Sequence, residues 1–374
     1  MKFVVSSTDL LAHLQTIGRV INSKNTIPIL DSFLFSLKDN QLTLTASDGD
    51  TTLITSMQVA DSEGDGVFAI AAKTLLEPIR ELPEQPLVFD IDDSTLEILI
   101  HYQNGKYNFI GQQGDDYPQS HTIREESVSF SLDVSALLNG INRTIFATAD
   151  DELRPVMNGI YFDINEEDIT FVSSDSHKLV RFQNKTVKVG TKAAFILPKK
   201  PATMLKNILP KEQGSVEVAF DDRIANFTFA NYKIICRLIE GRFPNYNSVI
   251  PQNNPFRITV DRLQFMSALR RVSHFSNQGS NLIKLQVADN KIVITAQDID
   301  FSTSAEETVS CQYSDMGIKI GFKSSFLVDI LNNINSTEVV LELADPSRAG
   351  IVLPVDQDEN EELLMLLMPM MLND

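Results

Sequence analysis

The sequence predicts an α+β fold made of three copies of one unit, each with two helices packed on antiparallel sheets. An aspartate that closes a strand-like segment recurs as Asp48, Asp175 and Asp298, at separations of 127 and 123 residues. Short strands followed by apolar stripes at helical spacing lie upstream of each aspartate in the same phase. The remaining strands alternate apolar and polar residues, as in sheets with one wet face.

Each copy reads as a strand, a helix and three strands, and its second half repeats that order. The first helix of each copy follows an N-cap side chain, and the second opens with a lysine. We expect helices over 6–24, 72–82, 133–150, 198–211, 261–277 and 323–334. In the first copy the strands are expected near 3–5, 33–37, 41–46, 52–59, 87–91, 95–101 and 107–111.

Polar linkers at 120–126 and 250–255 divide the 374 residues into domains that we place at 1–122, 127–252 and 255–374. The N-terminus becomes polar too early for a signal peptide, and no apolar run approaches the length of a membrane span. We therefore expect a cytoplasmic protein with no membrane partner.

Charge is distributed unevenly between the helices and the rest of the chain. The net charge is −18, yet the six predicted helices carry 13 Lys and Arg against 7 Asp and Glu, which leaves +6 on the helices and −24 elsewhere. A surface shared by the helices would therefore have a positive potential. Solvated helix faces also commonly carry these residues, so charge alone leaves both interpretations open.

Catalytic motifs are not evident, since the sequence has no glycine-rich phosphate loop, nucleophile elbow or Cys/His cluster. Acidic groups at 48–50, 90–93 and 298–300 could hold a divalent cation in a nuclease-like site. Asp and Gly are equally typical of turns between strands, and we favour that interpretation. We expect no catalytic residues, no metal and no cofactor.

The segment 363–372 is more apolar than a chain end needs. Its first half supplies the last strand of the third copy, and Met370, Met371 and Leu372 follow Pro369. Methionine suits surfaces that accept several apolar partners, which predicts an exposed or groove-lining patch. The alternative is that the tail folds back onto its own core.

These features together resemble the bacterial DNA sliding clamp, the beta subunit of DNA polymerase III. The motifs that carry the resemblance are Lys24-Asn-Thr-Ile-Pro-Ile-Leu30, Arg154-Pro-Val-Met-Asn-Gly159, Ser174-Asp-Ser-His-Lys-Leu179, Gly241-Arg-Phe-Pro-Asn-Tyr246 and Met368-Pro-Met370. Each is weak alone. In this order, with the threefold repeat, they cover essentially the whole chain.

The resemblance implies a head-to-tail homodimer that closes into a ring of six domains, with duplex DNA passing through a hole lined by helices. Binding to the phosphates would be non-specific and sensitive to salt. The implied DNA-contacting residues are Lys24, Lys73, Arg143, Lys199 and Lys200. Family members often have aromatic residues where this chain has Pro155 and Val156.

Two edge strands that meet with the right rotation close such a ring. By resemblance, one side of the interface consists of Lys106, Tyr107 and Phe109. The other side consists of His274, Phe275, Glu306 and Glu307.

The family also has a pocket that accepts short linear motifs. Here it falls on Met157, Ser174, Ser176, His177, Leu179, Pro244, Val249, Leu366, Met368, Pro369, Met370 and Leu372. Apolar walls with a few polar groups suit a peptide that inserts two or three side chains. This chain departs from the family at Ser176, Lys178 and Met371, where glycine, arginine and arginine are usual, and Asn373 and Asp374 extend the tail.

The function predicted is that of a processivity subunit of the DNA polymerase III holoenzyme, without catalysis of its own. Implied partners are duplex DNA, a second copy of the chain, an ATP-driven clamp loader, the polymerase alpha subunit, other DNA polymerases, and mismatch-repair and ligase-type proteins. Two rivals remain. One is a metal-dependent nuclease that uses Asp48, Asp50, Asp298 and Asp300, and the other is a monomeric protein-binding scaffold.

Overall fold

The computed structural model describes residues 1–22 and 25–372. Numbered in chain order, its α-helices are α1 (Ser7–Ile17), α2 (Ala72–Arg80), α3 (Val134–Thr144), α4 (Lys199–Ile208), α5 (Arg262–Ser273) and α6 (Ser324–Asn332). Its strands are β1 (Lys2–Ser6), β2 (Ser32–Lys38), β3 (Gln41–Ser47), β4 (Thr51–Gln58), β5 (Asp61–Glu63), β6 (Gly66–Ala71), β7 (Pro86–Ile91), β8 (Glu97–Tyr102), β9 (Gly105–Ile110), β10 (Gln112–Gln113), β11 (Val128–Asp133), β12 (Gly159–Ile164), β13 (Ile169–Ser174), β14 (Lys178–Asn184), β15 (Ala193–Pro198), β16 (Ser215–Phe220), β17 (Ile224–Phe229), β18 (Tyr232–Arg237), β19 (Phe256–Asp261), β20 (Leu282–Ala288), β21 (Lys291–Asp298), β22 (Thr303–Ser310), β23 (Ile318–Lys323), β24 (Glu338–Leu343), β25 (Gly350–Pro354) and β26 (Glu361–Leu367).

The order of these elements confirms the doubled unit. The first repeat runs β1, α1, β2 to β4, then β6, α2, β7 to β9, with β5 and β10 as short additions. The same order recurs from β11 to β18 and from β19 to β26. Among the full-length strands of the first repeat, only β6 was not predicted from the sequence.

Helices α1 and α3 end six or seven residues earlier than predicted, and the other four end two to four residues early. Helix α1 stops at Ile17 and α3 at Thr144, and each continues as a 3-10 turn, Gly18–Val20 and Ile145–Ala147. The Thr144 hydroxyl donates to the carbonyl of Gly140 at 2.6 Å. Buried apolar residues continue through both turns, so the apolar stripe could not mark where the α-helix ends.

The chain forms two compact units, one of Met1–Ser135 with Thr203–Leu238 and one of Ala136–Ala202 with Ile239–Asp374. The three-domain division proposed from the linkers stays a prediction. The units arise because each large sheet takes strands from two repeats.

The first unit holds a five-stranded sheet, β5-β1-β7-β8-β9, and a nine-stranded sheet, β10-β6-β2-β3-β4-β18-β17-β16-β11. In the second sheet β4 of the first repeat pairs with β18 of the second, with Thr51 opposite Cys236. Every pairing in both sheets is antiparallel. Helix α1 buries Leu10, Leu14 and Ile17 in this unit.

The second unit holds an eight-stranded sheet, β15-β12-β13-β14-β26-β25-β24-β19, and a four-stranded sheet, β22-β21-β20-β23. Strand β14 of the second repeat pairs with β26 of the third. Helices α5 and α6 bury Leu269, Leu327 and Ile330, among others, in this unit. In the part of the chain that the structure describes, no helix has the length and hydropathy needed to cross a membrane.

The repeated aspartates occupy equivalent turns. The carboxylate of each accepts hydrogen bonds from backbone N–H groups two and three residues further on, at Asp50 and Thr51, at His177 and Lys178, and at Asp300 and Phe301. The donor–acceptor distances run from 2.7 to 3.3 Å. These bonds confirm the turn interpretation of Asp48, Asp175 and Asp298.

Candidate functional site

Backbone pairing in the second unit brings most of the predicted pocket together. Strand β14 pairs with β26 so that Leu179 lies opposite Leu366. Beyond β26 the backbone N–H of Met368 donates to the carbonyl of His177 at 2.8 Å, and that of Met370 donates to Gly321 at 2.8 Å. The tail is therefore held first against the 175–178 turn and then against β23.

The turn before β14 has an unusual conformation at Ser176. Its φ is +77°, in the left-handed region that glycine occupies without strain. The Ser176 N–H donates to the hydroxyl of Ser174 at 3.2 Å, and the Ser176 hydroxyl lies 3.5 Å from the sulfur of Met157. Arg154 donates a hydrogen bond to the same hydroxyl, so Ser176 links the turn to the segment that precedes β12.

Lys178 is a buried cation behind this turn. Its side-chain nitrogen lies 2.6 Å from a carboxylate oxygen of Asp175, and both groups are largely shielded from water. The same nitrogen lies 4.4 Å from the centre of the Phe326 ring, and that of Lys323 lies 4.6 Å from it. His177 stacks on this ring with 5.6 Å between centroids. Cation–π contacts thus fix two ammonium groups on one aromatic side chain.

Leu179 and Leu366 are almost fully buried and form the floor rather than the rim of the site. They belong to a core cluster with Phe243 and Tyr246, into which Tyr161 also packs. The Tyr161 and Phe243 rings stack at 4.8 Å, and the Tyr246 hydroxyl donates to Asp163 at 2.6 Å. Burial, followed by this hydrogen bond, raises the pKa of Tyr246 well above its usual value, so it remains a neutral donor.

The apolar rim is open to solvent. Val249 is 55% exposed, Met368 43% and Met371 74%. Met370 and Leu372 are half-buried. Both expectations for the tail are therefore met in part, because Met370 and Leu372 fold onto β23 while Met371 stays exposed.

Three residues at this site were not among those predicted, namely Arg154, Lys323 and Phe326. Arg154 also pairs with Asp151 at 2.8 Å, which orients its guanidinium toward Ser176. Lys323 and Phe326 are three residues apart at the start of α6. The lysine that opens each second helix was visible in the sequence, but its position relative to the 175–178 turn depends on long-range packing.

The predicted DNA-contacting residues have different environments. Lys24 lies outside the described residues, and Lys73 is exposed in the first turn of α2. Lys199 and Lys200 open α4, and the Lys199 ammonium lies 3.7 Å from Asp150.

Arg143 is half-buried and donates to the carbonyl of Asn333 at 3.1 Å. Burial lowers its pKa below the usual value, although the group stays charged at neutral pH. In this arrangement its guanidinium is engaged within the chain, which reduces what it can offer to a phosphate.

Strand β9 is the last strand of the five-stranded sheet and carries Lys106, Tyr107 and Phe109. Tyr107 packs on Tyr102 with 4.8 Å between ring centres, and its ring meets that of Phe109 edge-on. Ile110, which the sequence did not single out, is 73% exposed at the end of the strand. Tyr107, Phe109 and Ile110 therefore place apolar surface on the last strand of this sheet.

Strand β22 is the last strand of the four-stranded sheet and carries Glu306 and Glu307. Arg271 of α5 binds Glu307 with two hydrogen bonds, which hold the pKa of that carboxyl below its usual value. Glu307 is thus paired within the chain, whereas Glu306 points to the other face. His274 caps the end of α5, and Phe275 beside it is 41% exposed.

Comparison with known families gives consecutive matches along the chain. Residues 1–121 match the N-terminal domain of the DNA polymerase III beta subunit, residues 131–245 its central domain and residues 247–371 its C-terminal domain.

Similar proteins are called beta sliding clamps. That of Pseudomonas aeruginosa is 27% identical over 368 residues, covering 98% of this chain and 99% of the relative. That of Staphylococcus aureus is 25% identical, covering 98% of each. Solved clamps of P. aeruginosa and Bartonella birtlesii superpose with TM-scores of 0.94 and 0.92 at 25% and 27% identity, over the full length of both chains. The chain belongs to the DNA polymerase III beta subunit family, the beta sliding clamps.

Proposed function

We propose that this sliding clamp encircles duplex DNA as a head-to-tail homodimer and tethers its partners through the pocket beside its C-terminal tail. The family is one of processivity factors for the replicative polymerase and does no chemistry itself. The partners we propose are the clamp loader, the polymerase alpha subunit, other DNA polymerases, and mismatch-repair and ligase-type proteins that carry linear motifs.

The observation that carries the docking role is the path of the tail. Backbone hydrogen bonds from Met368 to His177 and from Met370 to Gly321 hold a methionine-rich segment against the turn at Ser176. Buried leucines form the floor, while Val249, Met368 and Met371 leave apolar surface exposed. Such a surface suits an extended segment that inserts large apolar side chains.

Two open sheet edges support ring closure. Strand β9 ends one sheet of the first unit and β22 ends one sheet of the second. Two different ends that pair between copies make a heterologous interface, which closes when the rotation permits. The proposed contacts are apolar at Tyr107, Phe109 and Phe275, with Ile110 added from the structure.

The DNA-binding role rests on the positive charges proposed for the helices, at Lys24, Lys73, Lys199 and Lys200, on an acidic chain. Phosphate contacts of this kind carry no sequence information and weaken as salt rises. Arg143 is expected to contribute less than these lysines, because part of its guanidinium donates to Asn333.

Retention on nicked circular DNA tests the ring. The protein is loaded with its clamp loader and ATP, washed at high salt, and the circles are then cut with a restriction enzyme. A topological link predicts that the protein stays on circles and leaves once ends exist. Loss from circles and linear DNA alike would show simple electrostatic binding and would favour the scaffold. Metal-dependent cleavage of the DNA, abolished by alanine at Asp48 and Asp298, would favour the nuclease.

A labelled pentapeptide, Gln-Leu-Ser-Leu-Phe, tests the pocket, because it offers three large apolar side chains and an amide. Met368→Lys should weaken its binding, since a charge replaces exposed apolar surface at the rim. Met316→Lys is the matched control, because Met316 is 76% exposed in a different loop. Equal affinities for the two variants and the parent would exclude the pocket at this place.

A further inference from the structure

The outward face of the four-stranded sheet is positively charged, although the whole chain has a net charge of −18. Ile283, Leu285 and Val287 of β20 are buried, so the alternate residues face away from the helices. The register places four lysines on this outward face with one carboxylate, Glu306. These lysines are Lys284, Lys291, Lys319 and Lys323.

The outward lysines are available to a ligand. Within 1–22 and 25–372, none of the four forms an ion pair with a carboxylate of the chain. The Lys323 ammonium lies over the face of the Phe326 ring. Within the described residues, no carboxylate neutralises these four ammonium groups, so they can attract an anionic ligand.

An open trough of about 550 Å³ crosses this face, a volume within the range of ligand pockets. One row across the sheet runs from Gly321 through Lys284 and Thr295 to Glu306. Leu282, Ile299 and Leu372 add apolar walls, and Ile299 is 79% exposed.

The trough shares a lining residue with the proposed peptide pocket. Leu372 lines it, and the neighbouring Met370 is bonded to Gly321 in the row just described. A polypeptide lying along the tail from Met368 to Leu372 would therefore reach the trough.

We propose that this face binds an acidic, extended segment of the partner, next to the motif that occupies the pocket. This proposal rests on the proposed docking function. The lysines attract the carboxylates of that segment, and the apolar walls receive its occasional large side chain. Exposed charges of this kind mainly increase the rate of encounter and add a modest gain in affinity. The apolar walls favour a polypeptide over a nucleic acid, because a phosphodiester backbone has no apolar side chains to place against Leu282, Ile299 and Leu372.

The test compares labelled Gln-Leu-Ser-Leu-Phe alone with the same peptide extended by four glutamates or by four glutamines. The added residues are placed at either end in turn, because the direction of the chain is not fixed. We expect the glutamate tail, at one end, to lower Kd by about three- to tenfold relative to the glutamine tail, and salt to remove the gain.

The variant Lys284→Ser/Lys319→Ser should lose this gain while binding the untailed peptide as the parent does. Lys2→Ser/Lys38→Ser, at two exposed strand positions of the first unit, removes the same charge and should keep the gain. Equal affinities for the glutamate and glutamine tails overturn the inference and leave the pocket intact. Failure of the untailed peptide to bind refutes the docking function itself. A labelled DNA duplex that loses affinity in Lys284→Ser/Lys319→Ser would instead assign the face to phosphates.

Discussion

Gly321→Ala should loosen the C-terminal tail. A Cβ atom at Gly321 would lie 2.7 Å from the carbonyl oxygen of Met370, 2.8 Å from a methyl of Leu372 and 3.0 Å from a methyl of Leu282. The first of these contacts is with backbone, which cannot rotate away as a side chain can. Either β23 and the tail separate, or the sheet absorbs the strain.

The free-energy costs of releasing the tail and of straining the sheet can both be worked from the structure. Releasing the tail loses one backbone hydrogen bond, about 0.5–1.5 kcal/mol, and the partial burial of Leu372, about 1 kcal/mol when a fully buried leucine is worth about 1.5–3. Keeping the tail in place costs about 1–3 kcal/mol of overpacking. Because the two costs are comparable, about half of the molecules should have the tail released, and we expect the pocket to bind the Gln-Leu-Ser-Leu-Phe peptide about twofold more weakly, equivalent to about 0.4 kcal/mol.

Fluorescence anisotropy measures the peptide affinity, and hydrogen exchange at the Met370 amide reports whether the tail is released. Gly317→Ala is the matched control, because the nearest atoms to an added Cβ there lie at 3.6 Å. Unchanged affinity together with a protected Met370 amide in Gly321→Ala would refute the reasoning.

Three further predictions concern other parts of the chain. Asp175→Asn leaves the Lys178 charge buried without its partner and should cost about 3–5 kcal/mol of stability, and adding Lys178→Met should restore much of that stability. Denaturant titration of the two single variants and the double variant measures the free energies of unfolding. Fully additive effects in the double variant would contradict the pairing. Ile110→Lys on the β9 edge should shift sedimentation toward the monomer, whereas Val355→Lys, at a 44% exposed loop position, should not; a dimer of unchanged strength in both would remove β9 from the interface. Burial raises the pKa of the Cys236 thiol from 9.0 to about 12. The unfolded chain therefore loses this proton at a lower pH than the folded chain, so the stability that the protonated thiol contributes is full below pH 9.0 and declines between pH 9.0 and about 12. Cys236→Ala should flatten this alkaline decline in thermal melts, and an identical decline in both proteins would assign it to other groups.

Local patterns in the sequence predict much of this fold. The helix starts follow N-cap side chains at Ser6 and Asp261, each of which accepts a backbone N–H in the structure. The recurring aspartates closed equivalent turns, as expected for short polar side chains between strands. These features depend on residues within a few positions of one another.

Long-range pairing was harder to predict, because strand periodicity does not identify the partner strand. The sequence therefore did not indicate that β4 pairs with β18, or that Phe326 comes beside Lys178. Glu307 stays a predicted interface residue, but the sequence did not indicate that Arg271 of the same chain binds it. Arg154 stands in one of the quoted motifs, but its position at the pocket could not be predicted, because its partner Ser176 is 22 positions away and the contact depends on the backbone conformation there.

The pairing of β14 with β26 also affects how the protein folds. Arg181 and Glu362 meet across this pair although they are 181 positions apart in the chain. Contacts of such large sequence separation form slowly, because closing a long loop costs entropy before the contact is gained. Until β26 arrives, β14 presents an edge of unpaired backbone N–H and C=O groups, which is a template for association with other chains. We expect newly made chains to depend on chaperones during this interval, and aggregation to compete with folding most strongly when β26 is weakened.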